Sequence, residues 1–154
     1  MSEDLAAIAA LVYGYAELVD SGDFAGVGAL FAAATFRAAA GEQIHVRTGA
    51  SEVQAQFEQL VRLMDDGTPG TKHVTTNLAI DLDADAGTAA SRSYFTVLQG
   101  RQGPDGPDIG IVVAGRYHDR FERDGDGAWR FADRLIYTDL VGDVRGHLRG
   151  RPLG

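Results

Sequence analysis

The sequence predicts a single α+β domain in which three helices precede a long, curved, mostly antiparallel sheet. Two observations carry that prediction. Apolar residues recur at three- and four-residue steps in the first third of the chain, whereas the second half is dense in β-branched and aromatic residues. The links between the second-half segments are short and rich in Gly, Asp and Pro, so they suit antiparallel neighbours. Helices first and antiparallel strands after is the arrangement that packs helices on one face of a sheet.

From Glu3 to Asp20, residues Leu5, Ile8, Leu11, Val12, Tyr15, Leu18 and Val19 form one apolar stripe, with Ser2 placed as N-cap. Ser21-Gly22 ends this helix, and Asp23 is positioned to cap a short second one carrying Phe24, Val27, Leu30 and Phe31. Thr35 to Ala39 and Gln43 to Arg47 read as two strands joined by Ala40-Gly41-Glu42. Ser51 then reads as the cap of a third helix, with Val53, Phe57, Leu60, Val61 and Met64 along one side and a stop in the loop from Asp65 to Thr71. Four strands follow, over Lys72 to Asp83, Thr88 to Gln99, Ile109 to Arg123 and Ala128 to Leu140. The domain is expected to span 1–141, with 142–154 a loosely docked tail. A curved sheet covered on one side by three helices leaves a cone, and such concavities are where ligands bind.

Composition removes several functions. With 154 residues, 45% hydrophobic and 23% charged, the chain has the makeup of an ordinary globular domain. The acidic start Met-Ser-Glu-Asp and the lack of a run of about 18 apolar residues lead to the expectation of a cytoplasmic protein with no membrane partner. Absence of cysteine excludes disulfides, thiolate nucleophiles and Cys-based metal sites. A net charge of -8 repels phosphate backbones, so no nucleic-acid partner is expected. His45, His118 and His147 show no ligand spacing and read as surface or packing groups, and no metal is predicted.

Three residues stand out chemically. Asp20 ends a helix, where negative charge opposes the dipole and needs compensation, either from turn N–H groups and water or from a functional partner. His73 opens a strand in Lys72-His73-Val74-Thr75-Thr76-Asn77-Leu78, and a period of two places His73, Thr75 and Asn77 on one face. Its unperturbed pKa suits proton abstraction near neutrality, although a strand histidine also serves as a structural group. Arg134 lies among apolar neighbours and needs an anion, either a structural carboxylate such as Asp133 or Asp139 or a charge developing on a ligand.

The segments Leu18-Val19-Asp20-Ser21-Gly22-Asp23, His73-Val74-Thr75-Thr76-Asn77, Gly115-Arg116-Tyr117-His118-Asp119-Arg120-Phe121-Glu122-Arg123 and Trp129-Arg130-Phe131 followed by Arg134 together resemble the SnoaL-like branch of the NTF2-like superfamily. The resemblance spans nearly the whole chain and implies a cone-shaped α+β barrel. Within that superfamily the chain looks most like the group of scytalone dehydratase, bile acid 7α-dehydratase and hexachlorocyclohexane dehydrochlorinase. In that group a helix-terminal Asp and a strand-opening His form a catalytic dyad assisted by an Arg. Asp20, His73 and Arg134 match those positions, and Tyr15, with Tyr13 as a close substitute, matches a functional tyrosine. The lysine of the dehydrochlorinase and the second tyrosine and histidine of scytalone dehydratase have no assigned counterpart.

The resemblance implies a cofactor-independent lyase or isomerase acting on a small, mainly apolar, cyclic substrate. His73 would abstract a proton, Asp20 orient it, and Arg134 stabilise developing charge, with Tyr15 donating to a leaving oxygen. Tyr13, Asn77, Phe31, Phe57 and Tyr117 are the expected substrate contacts. The rival readings are a non-catalytic subunit like that of ring-hydroxylating dioxygenases and a polyketide cyclase working through an acid residue without the histidine. Two-sided apolar content in Ile109 to Val113 and Leu135 to Leu140 leads to the expectation of a homodimer or homotrimer.

Overall fold

The computed structural model describes residues 2–149. Its elements run α1 (Glu3–Asp20), α2 (Phe24–Leu30), β1 (Thr35–Ala40), β2 (Gln43–Thr48), α3 (Gly49–Leu60), β3 (Thr71–Asp83), β4 (Thr88–Gly103), β5 (Gly106–Arg123) and β6 (Trp129–Val141). The strands form one sheet in the order β2-β1-β6-β5-β4-β3, with β1 parallel to β6 and every other pair antiparallel. The sheet curves around the helices without closing, since β2 and β3 remain edges. Among the described residues, no helix is long and apolar enough to cross a membrane.

Ile8, Val12, Tyr15 and Val19 fall on one face of α1 and are all buried. Ser2 Oγ accepts the Leu5 N–H at 3.2 Å, and Asp23 accepts the Gly26 N–H at 2.8 Å, so each of the first two helices has its expected cap. The chain reverses between them at Gly22, whose φ is 74° and whose added Cβ would lie 2.3 Å from the Gly67 carbonyl oxygen. A side chain there would both strain the backbone and displace the 65–70 loop, which leads directly into β3. The helices bury Phe24, Val27, Val53 and Phe57 against Phe36, Phe95, Tyr117, Phe121 and Phe131 of the sheet. Burial of each such side chain contributes roughly 1.5–3 kcal/mol.

Curvature comes from bulges in β3, β4, β5 and the β5–β6 pairing. One adjoins Gly115, where a Cβ would lie 1.9 Å from the Tyr137 carbonyl oxygen and 2.8 Å from the Phe95 ring. Another lies between Thr76 and Ala79, with Asn77 at φ 56°. Strict alternation from His73 would turn Leu78, Ile80 and Leu82 outward. The extra residue at the bulge instead packs all three against the core.

Several boundaries differ from those read in the sequence. Helix α3 starts at Gly49 instead of being capped by Ser51, because the Glu52 carboxylate accepts the Thr48 N–H at 2.8 Å and satisfies the helix start there. It ends at Leu60, since Val61 turns extended and bridges to Leu148, leaving Met64 in the following loop. The expected 101–108 loop is instead an extension of β4 and β5, joined at Pro104-Asp105 and held in register by an Arg101–Asp108 pair at 3.2 Å.

The segment from Gly142 to Arg149 hydrogen-bonds back onto the domain. The Arg62 N–H donates to the His147 carbonyl at 2.7 Å, the Arg149 N–H to the Leu60 carbonyl at 2.8 Å, and the Gln99 amide to the Gly146 carbonyl at 3.0 Å. Buried Val61 and Val113 and half-buried Val144 and Leu148 form the apolar contact that these bonds frame. Positions 150–154 lie outside the described residues.

Candidate active site

Asp20 is the last residue of α1, where four helical carbonyls lack intrahelical donors and disfavour a carboxylate. The compensation comes from β3. Thr71 Oγ1 donates to Asp20 Oδ1 at 2.8 Å, the His73 backbone N–H donates to Oδ2 at 2.8 Å, and His73 Nδ1 lies 2.6 Å from Oδ1. Burial alone would raise the Asp20 pKa, but the His73 ring, the His73 N–H and the Thr71 hydroxyl outweigh it and hold the carboxyl below its ordinary value. An ionised Asp20 accepts from Nδ1–H, which fixes the tautomer and leaves Nε2 as the free, basic nitrogen.

His73 lines a mostly apolar cavity of about 130 Å³ bounded by Val19, Phe36, Phe57, Leu60, Val61, Phe95, Val97, Val113, Ile136 and Leu148. Its polar boundary consists of Tyr15, Gln56, His73, Tyr117, Thr138 and His147. Among the described residues, no Lys, Arg, Asp or Glu lines it. The site is a mostly apolar chamber with few hydrogen-bonding groups.

Tyr15 and Tyr117 meet at 5.8 Å between ring centroids, edge to face, and Tyr117 stacks on Phe95 at 4.5 Å. Burial pushes the Tyr15 pKa up to about 12 against the lowering influence of Arg134, and burial together with Tyr15 raises that of Tyr117 well above its ordinary value. Both phenols stay protonated at neutral pH and can donate.

Arg134 is fully buried behind those rings and does not line the cavity. Its guanidinium carbon lies 4.3 Å from the Tyr15 ring centroid and 3.8 Å from that of Tyr117. Its partner is Asp119, through two bonds of 2.8 Å, and neither Asp133 nor Asp139. The register explains this: Asp119 lies directly across from Arg134 on β5, whereas Asp133 points to the opposite face and pairs with Arg37, and Asp139 pairs with Arg116. Desolvation would lower the Arg134 pKa, but the Asp119 charge more than offsets it and raises it.

The other sequence-predicted contacts divide. Phe57 and Tyr117 line the cavity. Phe31 lies behind it, stacked on Phe131 at 4.8 Å. Tyr13 is on the solvent side of α1, in an outer groove with Glu17, Lys72 and Thr75 that reaches the back of the Asp20–His73 pair. Asn77 is exposed at the bulge, away from the cavity. His147, read in the sequence as a surface or packing group, lines the cavity with its ring 6.2 Å from that of His73. No local signal marks it, because its position depends on the last described segment folding back across α3 and β4. Among the described residues no three His, Cys, Asp or Glu side chains group to hold a metal.

The family model for the SnoaL-like domain matches residues 1–135. No curated protein matches the sequence significantly. Among solved structures, an NTF2-like protein with a cystatin-like fold from Novosphingobium aromaticivorans shares 19% identity at a TM-score of 0.70, covering 92% of this chain and 86% of that one. ActVI-ORFA from Streptomyces coelicolor shares 20% identity at a TM-score of 0.67, covering 90% of this chain and 98% of that one. A candidate dehydratase of the NTF2-like family from Streptomyces avermitilis shares 17% identity at 0.62, covering 90% and 97%. At these identities the likeness is one of fold.

Proposed function

The chain belongs to the SnoaL-like domain family, and on that premise we propose that it is a cofactor-independent lyase or isomerase in which an Asp20–His73 pair acts as general base on a small, mainly apolar cyclic substrate. The observation that carries this reading is the 2.6 Å contact between His73 Nδ1 and Asp20 at the wall of an apolar cavity. His73 Nε2 takes a proton from carbon, Asp20 holds the ring and stabilises the imidazolium that forms, and Tyr15, which accepts from the Tyr117 hydroxyl, donates to the oxygen that gains charge. Arg134 acts through those phenols, since its position behind their rings biases them electrostatically without reaching the substrate. The assembled pair favours this reading over a non-catalytic subunit, and over a polyketide cyclase working without the histidine.

The test uses 3-cyclohexenone, an uncharged ring ketone with acidified C2 protons, in D2O. The wild type should incorporate deuterium at C2 faster than His73→Ala by about 10²- to 10⁴-fold. Equal rates in the two proteins would overturn the reading.

Self-association as a homodimer or homotrimer is also proposed, supported by exposed Ile109, Ile111, Leu140 and Val141 on neighbouring strands. Light scattering that shows only monomer at micromolar concentration counts against it.

A further inference from the structure

The cavity has a second imidazole. His147 comes from the segment after β6, is 5% exposed, and has an Nδ1 with no hydrogen-bond partner among the described residues. That nitrogen is sealed off from the cavity, so a guest meets the ring at its other edge, Nε2, and an Nδ1 without a proton acceptor beside it leaves the N–H there. Nor is its position loose. The Gln99 amide donates at 3.0 Å both to the Pro69 carbonyl, in the loop leading to His73, and to the Gly146 carbonyl, next to His147. One buried side chain thereby ties together the backbones that deliver the two histidines.

Among the described residues, the titratable groups whose charge acts on His147 are His73 on β3 and Asp20 on α1. Burial, then the nearby His73, push its pKa down to about 4, with Asp20 opposing, so the ring is neutral at physiological pH and can donate or accept. Among the described residues, no charge that could balance an anionic guest lines the wall, since Arg134 is committed to Asp119 behind the tyrosines. Ring centroids 6.2 Å apart set the two imidazoles side by side in the wall, within reach of adjacent atoms of one guest.

We propose that His147 is a substrate-contacting residue that hydrogen-bonds an uncharged oxygen of the guest beside His73, so that the site selects neutral cyclic ketones or alcohols and rejects carboxylates. This rests on the reading of the cavity as the site of proton abstraction. As the C–H bond breaks, its proton goes to His73 Nε2, its electron pair forms the enolate C=C bond, and the carbonyl π pair moves onto oxygen. The N–H of His147 donates to that oxygen without transferring its proton.

The experiment uses the full chain labelled with 15N-histidine, with phenol, benzoate and toluene as probes at pH 7. Phenol should shift the His147 ring-nitrogen signals and bind at least about 10-fold more tightly than benzoate. His147→Phe should weaken phenol by about 3- to 10-fold, the worth of one hydrogen bond, and leave toluene unchanged. His147→Gln, which keeps a donor and an acceptor, should hold phenol closer to the wild type. Unmoved His147 signals at high phenol, failure of phenol to bind, or equal binding of phenol and benzoate overturns the proposal. Because these readouts involve no turnover, they separate from the general-base reading. Deuterium incorporation unchanged by His73→Ala sinks that reading, while a His147 indifferent to phenol sinks only this one.

Discussion

The Asp20 carboxylate binds His73 twice, through the ring Nδ1 at 2.6 Å and through the backbone N–H at 2.8 Å. One side chain at a helix end therefore sets the tautomer of the imidazole and the position of the strand that carries it. Asp20→Asn keeps the shape but loses the charge that stabilises the imidazolium, and an amide NH2 can meet the ring in the wrong tautomer. Deuterium incorporation into 3-cyclohexenone should fall about 10²- to 10⁴-fold. Comparison with His73→Gln discriminates mechanisms: a comparable loss in both variants is expected, and a loss confined to Asp20→Asn points to cyclase-type chemistry.

The buried Arg134–Asp119 pair should behave as a unit. Arg134→Met strands an uncompensated carboxylate with neither side chain exposed, and should cost about 3–5 kcal/mol in urea unfolding. The double change Arg134→Met with Asp119→Leu should recover most of that loss. If the double variant is no more stable than the single one, the pair is not the reason for the cost.

Gly115→Ala should destabilise by about 1–3 kcal/mol or more, because the added methyl would overlap the Tyr137 carbonyl and the Phe95 ring. Phe95 stacks on Tyr117, so the same change should also weaken toluene binding. A Gly115→Ala protein with wild-type unfolding midpoint and toluene affinity would contradict the close approach.

His147 gives a pH signature to stability. Burial lowers its pKa from 6.5 to about 4, so between those values the unfolded chain binds a proton that the folded protein does not. Stability therefore falls as pH drops through that window and the loss is complete below about 4, amounting to roughly 3 kcal/mol from this group. Urea unfolding at pH 7 and pH 4.5 should show a smaller acid loss in His147→Phe than in the wild type. Asp20 works in a different range: its depressed pKa contributes stability above the ordinary carboxylate value that is lost only as pH falls below it.

Much of the architecture was legible because it is written in local chemistry. The stripe Ile8, Val12, Tyr15, Val19, the caps Ser2 and Asp23, and the turn at Ser21-Gly22 specify the helical hairpin and bring Asp20 to its end. β-branched density specified the four long strands, and matching positions singled out Asp20 and His73 as a pair. Where local reading failed, a distant partner had decided. The bulge at Asn77 reverses which face the rest of β3 presents, and the Val61–Leu148 bridge ends α3 before Met64.

By itself, then, the sequence determined the order of elements and set a carboxylate at the end of α1 and an imidazole at the start of β3. Only the tertiary structure decided that Arg134 is spent on Asp119 behind two tyrosines, that Phe31 and Asn77 stay out of the cavity, and that His147 enters it. Caps, stripes and turns act over three or four residues and leave a periodic trace. Cross-strand register and a chain end folding back join residues tens of positions apart, and such pairings leave no period in the sequence to read.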